Sequence, residues 1–266
     1  MNRDQQHVFL LNVGHFLDHL TTLVFATVAA VALVREWGMS YAQLAAYATP
    51  GFVAFAFFSL PAGWLADRWS REGMMAVYFI GLGLSCAATA LAQTPLQISI
   101  GLFVLGMFAA IYHPVGLALL VQGRGAKTGM TIAINGVFGN VGVGSAALVA
   151  GYFIDHGGWR YAFVVPGLVS VALGLYYAWF MRAEILQRNA HAVKKDRAAM
   201  PAGGVQIDSG VLLRMSAIIF FTAAVSSLIF QATTFALPKI LDERLQSIVG
   251  SATQLGWVAF LVFSIS

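Results

Sequence analysis

Charge is scarce in this chain. Lys, Arg, Asp and Glu make up 10% of its 266 residues, against about a quarter in soluble domains. Hydrophobic residues make up 59%, and the mean hydropathy is +0.78. An ordinary soluble domain is thereby excluded, and an integral membrane protein is indicated. Cysteine is scarcer still: Cys86 stands alone inside an apolar run. That excludes an internal disulfide framework and a cysteine-rich metal site, and Cys86 reads as a small core residue. The sequence also lacks a hydrolase-type elbow, a phosphate-binding loop and paired carboxylates. No enzymatic activity, cofactor or resident metal is expected. The formal net charge is +4, but the basic residues are spread through loops between apolar segments. They read as topology determinants rather than as a nucleic-acid surface.

What is present is a series of apolar runs of membrane-spanning length, about 20 residues each. They fall at 9–34, 42–65, 74–92, 97–121, 129–154 and 161–181. The first does not read as a cleaved signal: only Arg3 precedes it, His15, Asp18 and His19 interrupt it, and it continues to Val34. Residues 182–210 shift in composition, with Arg182, Glu184, Arg188, Lys194, Lys195, Asp196, Arg197 and Asp208 around Pro201 and Gly203-Gly204. They read as a solvated linker. A seventh span follows at 211–237, closed by Pro238, and an eighth run from Ala252 reaches Ser266, too short to cross. With the N-terminus inside, eleven of the fifteen Lys and Arg residues fall on the cytoplasmic side. Only Arg35, Arg160, Lys239 and Arg244 fall outside. The N-terminus and the linker are therefore expected in the cytoplasm of an inner-membrane protein.

Charges crowd one hinge, Gly63-Trp-Leu-Ala-Asp-Arg-Trp-Ser-Arg-Glu-Gly-Met-Met75, between the second and third spans. It resembles the loop pattern G-x-L-a-D-r-x-G-r-[KR] of the major facilitator superfamily. Gly63, Leu65, Ala66, Asp67, Arg68 and Arg71 fit; Ser70 and Glu72 depart from it. Gly158-Trp159-Arg160-Tyr161-Ala162-Phe163 is similar to the superfamily's G-W-R-x-x-F start of the sixth helix. There Trp is expected at the interface and Arg against head groups. The resemblance implies an all-α membrane fold: a six-helix N-terminal bundle over 1–181, the cytoplasmic linker 182–210, and the start of a second bundle over 211–266. Such proteins carry two six-helix bundles, each of inverted three-helix repeats, so about four and a half helices are expected to be missing here. Fragment and natural truncation both fit.

Three further stretches sharpen the resemblance. Asn135-Gly-Val-Phe-Gly-Asn-Val-Gly-Val-Gly144 is similar to the antiporter motif G-x-x-x-G-P-x-x-G-G, with Asn140 in place of the proline. Export is one implication, and close helix packing through small residues is the other reading. Gly106 to Pro114, ending in Tyr112-His113-Pro114, and Gly14-His15-Phe16 with Asp18 resemble the fosmidomycin-resistance-like branch.

Ionisable residues inside a span are expensive and usually face the bundle interior or a wet cavity. Asn12, His15, Asp18, His19 and Thr22 recur at helical spacing in the first span. At 1.5 Å per residue, His15, His19, His113, Asn135 and Asn140 reach a similar depth. In the family the first and fourth helices line the central cavity. The resemblance thus implies a transporter moving a small molecule by alternating access, coupled to protons. Asp18 is the expected coupling carboxylate, with His15, His19 and His113 as partners. Asn135, Asn140 and Gln231 are expected polar contacts to substrate, and Gly63, Asp67, Arg68 and Arg71 the gating loop. The expected partners are the lipid bilayer, the substrate and the proton. A buried network that only ties helices together, in a scaffold, a sensor or an inactive truncated transporter, is the alternative.

Overall fold

The computed structural model describes residues 1–186, 208–245 and 247–265. Most of the expected linker therefore lies outside the described residues, among which there is no strand. Among the described residues eight principal helices follow one another: α1 Arg3–Glu36, α2 Tyr41–Arg68, α3 Arg71–Thr89, α4 Pro95–Val121, α5 Gly125–His156, α6 Tyr161–Phe180, α7 Gly210–Arg244 and α8 Ala252–Ile265. The first seven are long and apolar enough to cross a membrane. As expected, α8 is shorter.

Helix starts follow local chemistry. Asn2 and Gln5 form a capping box at α1, and Ser40 and Gln43 another at α2. Thr94 caps α4 with Pro95 in its first turn. Ser70 accepts from the Gly73 N–H and starts α3. The hinge is consequently tighter than expected: Asp67 and Arg68 belong to the last turn of α2, and Arg71 opens α3. The seventh span also differs from its expected end. α7 runs through Pro238 to Arg244, because an internal proline in a long apolar helix removes a single backbone donor that its surroundings can absorb.

The bundle is organised by three long pairings: α1 along α5, α2 along α4, and α3 along α6. Exchanging the first three helices with the second three turns the α1–α5 pair into α4–α2 and leaves α3–α6 unchanged. This is the packing of an inverted repeat. The two equivalent helices α1 and α4 each carry a π-helical segment, Val28–Leu33 and Tyr112–Gly116. α8 lies along α5, and α7 rests against α1 and α8. Large aromatics, among them Tyr78, Phe79, Tyr112, Phe163 and Tyr177, fill the interior. Outward positions such as Phe57 and Leu60 are exposed and apolar, as a lipid-facing surface requires.

Both ends of the bundle are tied by charge. At one end Arg3 holds Glu184 at 2.7 Å and Arg124 grips Asp4 with two bonds of 2.7 and 2.8 Å. At the other, the Trp159 indole donates to Glu36 at 2.7 Å and Arg160 lies 4.3 Å over the Trp159 ring. Trp159 is buried within the protein, not laid in the interface as its motif led us to expect. Its N–H has a carboxylate partner that lies far away in sequence.

A polar cluster between α1, α4 and α5

Five of the expected site residues meet at one place. The α1 stripe brings Asn12, His15, Asp18 and His19 to the side facing α4 and α5. In α4, Pro114 has no N–H to give, and the helix widens into the π segment that carries His113. His15 Nδ1 lies 2.8 Å from the Asn135 carbonyl oxygen of α5. A carbonyl only accepts, so Nδ1 donates and neutral His15 presents a bare Nε2. That atom lies 3.1 Å from His19 Nε2, which donates to it. His113 Nε2 stands 3.6 Å from Asp18 Oδ2. The nitrogens of His15, His19 and His113 all lie within 4.8 Å of one another. The three imidazoles are the described residues best placed to hold a metal ion.

Packing fixes this arrangement. The His15 ring stacks on Tyr112 with centroids 5.0 Å apart. It occupies space left by Gly139: a methyl there would come within 2.6 Å of the imidazole. Gly142, one turn on, abuts the Phe16 backbone so closely that a side chain would collide with it. The glycines of the fifth span thus serve close helix approach. The Asn135 amide donates to Asn12 at 2.9 Å and to the Tyr112 hydroxyl at 2.8 Å. Tyr112 in turn donates to the Leu11 carbonyl, and Tyr78 to the Gly14 carbonyl, each at 2.8 Å.

Asp18 is 1% exposed, and its Oδ1 has no hydrogen-bond partner among the described residues. The neighbouring Tyr78 hydroxyl donates to the Gly14 carbonyl and also stands against the Asp18 carboxylate. Asp18, His19 and Thr22 also line a cavity of about 40 Å³ closed by Phe52 and Phe55 of α2, Leu105 of α4, and Gln231 and Phe235 of α7. That volume admits water or an ion and is far below the hundreds of Å³ of organic-ligand pockets. Gln231 therefore joins Asp18 at the cavity. Asn140 does not join: it is exposed on α5. Five residues turn an α-helix by about 140° beyond a full revolution, so Asn135 and Asn140 cannot both face α1.

In the hinge, Asp67 and Arg71 pair at 2.8 Å across the α2–α3 turn. Arg68 lies 4.2 Å over the Trp64 ring instead of joining them. Gly63 packs against Pro114, which links the hinge helix to the π segment. Tyr78, Tyr112 and the Asn12–Asn135 pair complete the network. Tyr78 was not singled out from the sequence. The readable signal was a tyrosine inside a span, whose hydroxyl must find a partner when buried.

Comparison with known proteins agrees with this architecture. The chain is 28% identical over 165 residues to the niacin transporter NiaP of Acinetobacter baylyi, covering 62% of this chain and 37% of that protein. It is 28% identical over 182 residues to the gallate transporter of Pseudomonas putida, covering 66% and 40%. The chain thus spans about two fifths of the length of these relatives, which are transporters by name and not enzymes. Among solved structures, the D-xylose-proton symporter superposes with a TM-score of 0.61 at 16% identity, covering 97% of this chain and 65% of that one. That likeness concerns the fold. The family model of the Major Facilitator Superfamily matches residues 11–266, and with its seven helices of spanning length this chain is a multi-pass membrane protein that belongs to that superfamily.

Proposed function

We propose that the chain forms the six-helix N-terminal bundle (1–181), cytoplasmic linker (182–210) and first helices of the second bundle (211–266) of a secondary transporter. It moves a small molecule by alternating access in the inner membrane, with the N-terminus and linker in the cytoplasm. The observation that carries this reading is Asp18: a buried carboxylate with an unpartnered oxygen, beside three imidazoles, at a cavity between α1, α2, α4 and α7. An intramembrane carboxylate facing such a cavity marks a substrate or proton pathway. In this reading Asp18 exchanges a proton with the neighbouring histidines, whose titration range lies near neutrality in water. Asn135 and Gln231 offer hydrogen bonds to substrate, while the Asp67–Arg71 pair and Gly63 belong to the cytoplasmic gate. Asn140, exposed on α5 and turned about 140° from Asn135, is left out of the substrate contacts. The cavity is narrow, and in this reading it must widen for a solute to enter.

The test is flux. The transporter reconstituted in proteoliposomes, under an imposed proton gradient, should take up or release a labelled solute saturably. Nicotinate, gallate and 4-hydroxybenzoate form the first panel, since relatives are named for niacin, gallate and 4-hydroxybenzoate. Saturable flux indifferent to the gradient would remove proton coupling from the proposal. Reporter fusions at Gly157 and Gly203 should fall on opposite sides of the membrane; matching sides would overturn the topology.

A further inference from the structure

The scarcity of cysteine removes sulfur-ligated metal sites, but imidazole alone suits zinc, copper and nickel. We propose that His15, His19 and His113, with Asp18 as the carboxylate beside them, bind one first-row transition-metal dication of the zinc class. The inference uses the same cluster as the transport reading and does not depend on proton coupling.

Four observations carry it. First, the ligand nitrogens lie within 4.8 Å of one another, and the His15 and His19 Nε2 atoms are 3.1 Å apart. With metal–nitrogen bonds of about 2.0–2.1 Å, a tetrahedral edge is about 3.3 Å, so that pair already has the spacing of two ligands on one ion. Second, His15 has the outer hydrogen bond of a metal-bound histidine. Its Nδ1–H donates to the Asn135 carbonyl, which aims the Nε2 lone pair, now accepting from His19, into the cluster. Third, the Asp18 oxygen without a partner is buried beside the imidazoles, 3.6 Å separating its other oxygen from His113. A dication would supply the charge partner that the Tyr78 hydroxyl, donating to Gly14, does not. Fourth, the His113 side chain is 43% exposed, giving an ion access. Three imidazole nitrogens form a set that hard cations such as Mg²⁺ do not favour.

Occupancy would change the hydrogen bonds now present. The His19–His15 bond must open, and His19 must turn its Nε2 lone pair to the ion and release that proton or shift it to Nδ1. Metal binding and protonation of these imidazoles therefore exclude each other.

The experiment is a Co²⁺ titration of the purified protein in detergent, with affinity tags removed, followed by absorption in the visible. Tetrahedral Co²⁺ should appear with saturation at one ion per chain, be displaced by Zn²⁺, and be unaffected by excess Mg²⁺. His19→Ala and His113→Ala should each weaken binding by at least about tenfold, the lower end of what even outer-sphere changes cost. Gly139→Ala, which moves the His15 ring without deleting a ligand, should also weaken it. His156→Ala is the neutral comparison, since that ring is held by the Tyr152 carbonyl of its own helix. If a ligand variant fails to fold, the wild-type stoichiometry and a zinc-dependent rise in melting temperature still decide. No saturable spectrum, or binding unchanged in His19→Ala, overturns the site. Metal binding without solute flux would sink the transport reading and leave the site standing. Gradient-driven flux without metal binding would do the reverse.

Discussion

The ion pairs at the ends of the bundle and the cluster at its middle use the same chemistry in different surroundings. Arg3–Glu184 and Arg124–Asp4 are short and well aligned, yet one partner of each pair, Arg3 and Asp4, is more than half open to water. Such pairs are worth about 0–1 kcal/mol. Their guanidinium and carboxylate groups tie neighbouring helix ends together. At mid-depth, Asp18 is buried without a full partner set, and every imidazole around it has a defined neighbour. There the cost of an unsatisfied group is several times larger. In the proposed reading, charge comes and goes at this place.

The largest expected effect is on the buried side of this comparison. Asp18→Asn keeps size and hydrogen bonding but cannot carry charge. It should leave the protein folded and abolish the pH dependence of flux, with gradient-driven transport reduced within the range of about 5–150-fold typical of ligand coupling. Flux with an unchanged pH profile would move the cluster from coupling to structure. His113→Gln should give a milder loss.

The packing that supports the cluster can be tested by contrast within one helix. Gly142 meets the Phe16 backbone, whereas nothing lies within 4 Å of a methyl at Gly136. Gly142→Leu should lower stability by about 1–3 kcal/mol or more through overpacking, read as a fall in melting temperature. Gly136→Ala should be neutral or slightly stabilising, since Ala is the better helix former by about 1 kcal/mol. Equal effects at the two positions would contradict the α1–α5 contact.

The hinge stands between the two regimes. Asp67 is exposed, so Asp67→Asn should leave abundance in the membrane unchanged. Flux should fall several-fold, because inward and outward states differ by only a few kcal/mol. Normal transport would remove the gate from the proposal. The smallest effect belongs to the outer pairs. A double-mutant cycle on Asp4 and Arg124 should give a coupling of at most about 1 kcal/mol, falling as salt rises. The pairing raises the Arg124 pKa further, chiefly through the hydrogen bond to Asp4. Arg124 therefore stays charged throughout the working range and contributes no pH dependence of its own. A coupling of several kcal/mol that persists in salt would erase the distinction between end and middle.

Much of this was legible from residue order alone. Composition and run length determined the membrane class and the seven spans, because burying apolar length in lipid needs no partner to specify it. Caps at Asn2, Ser40, Ser70 and Thr94 set helix starts through bonds only a few residues long. The α1 stripe was likewise visible as a period. Depth along a helix is one-dimensional and could be counted; azimuth was the missing coordinate, and it separates Asn135 from Asn140. Only the tertiary structure decided that His15 would settle in the gap above Gly139 and donate to a carbonyl 120 residues away. It also decided that Trp159 would find Glu36 instead of the interface. Those outcomes depend on which helices lie side by side and how closely their backbones approach, which is a property of the packed bundle and of no single segment.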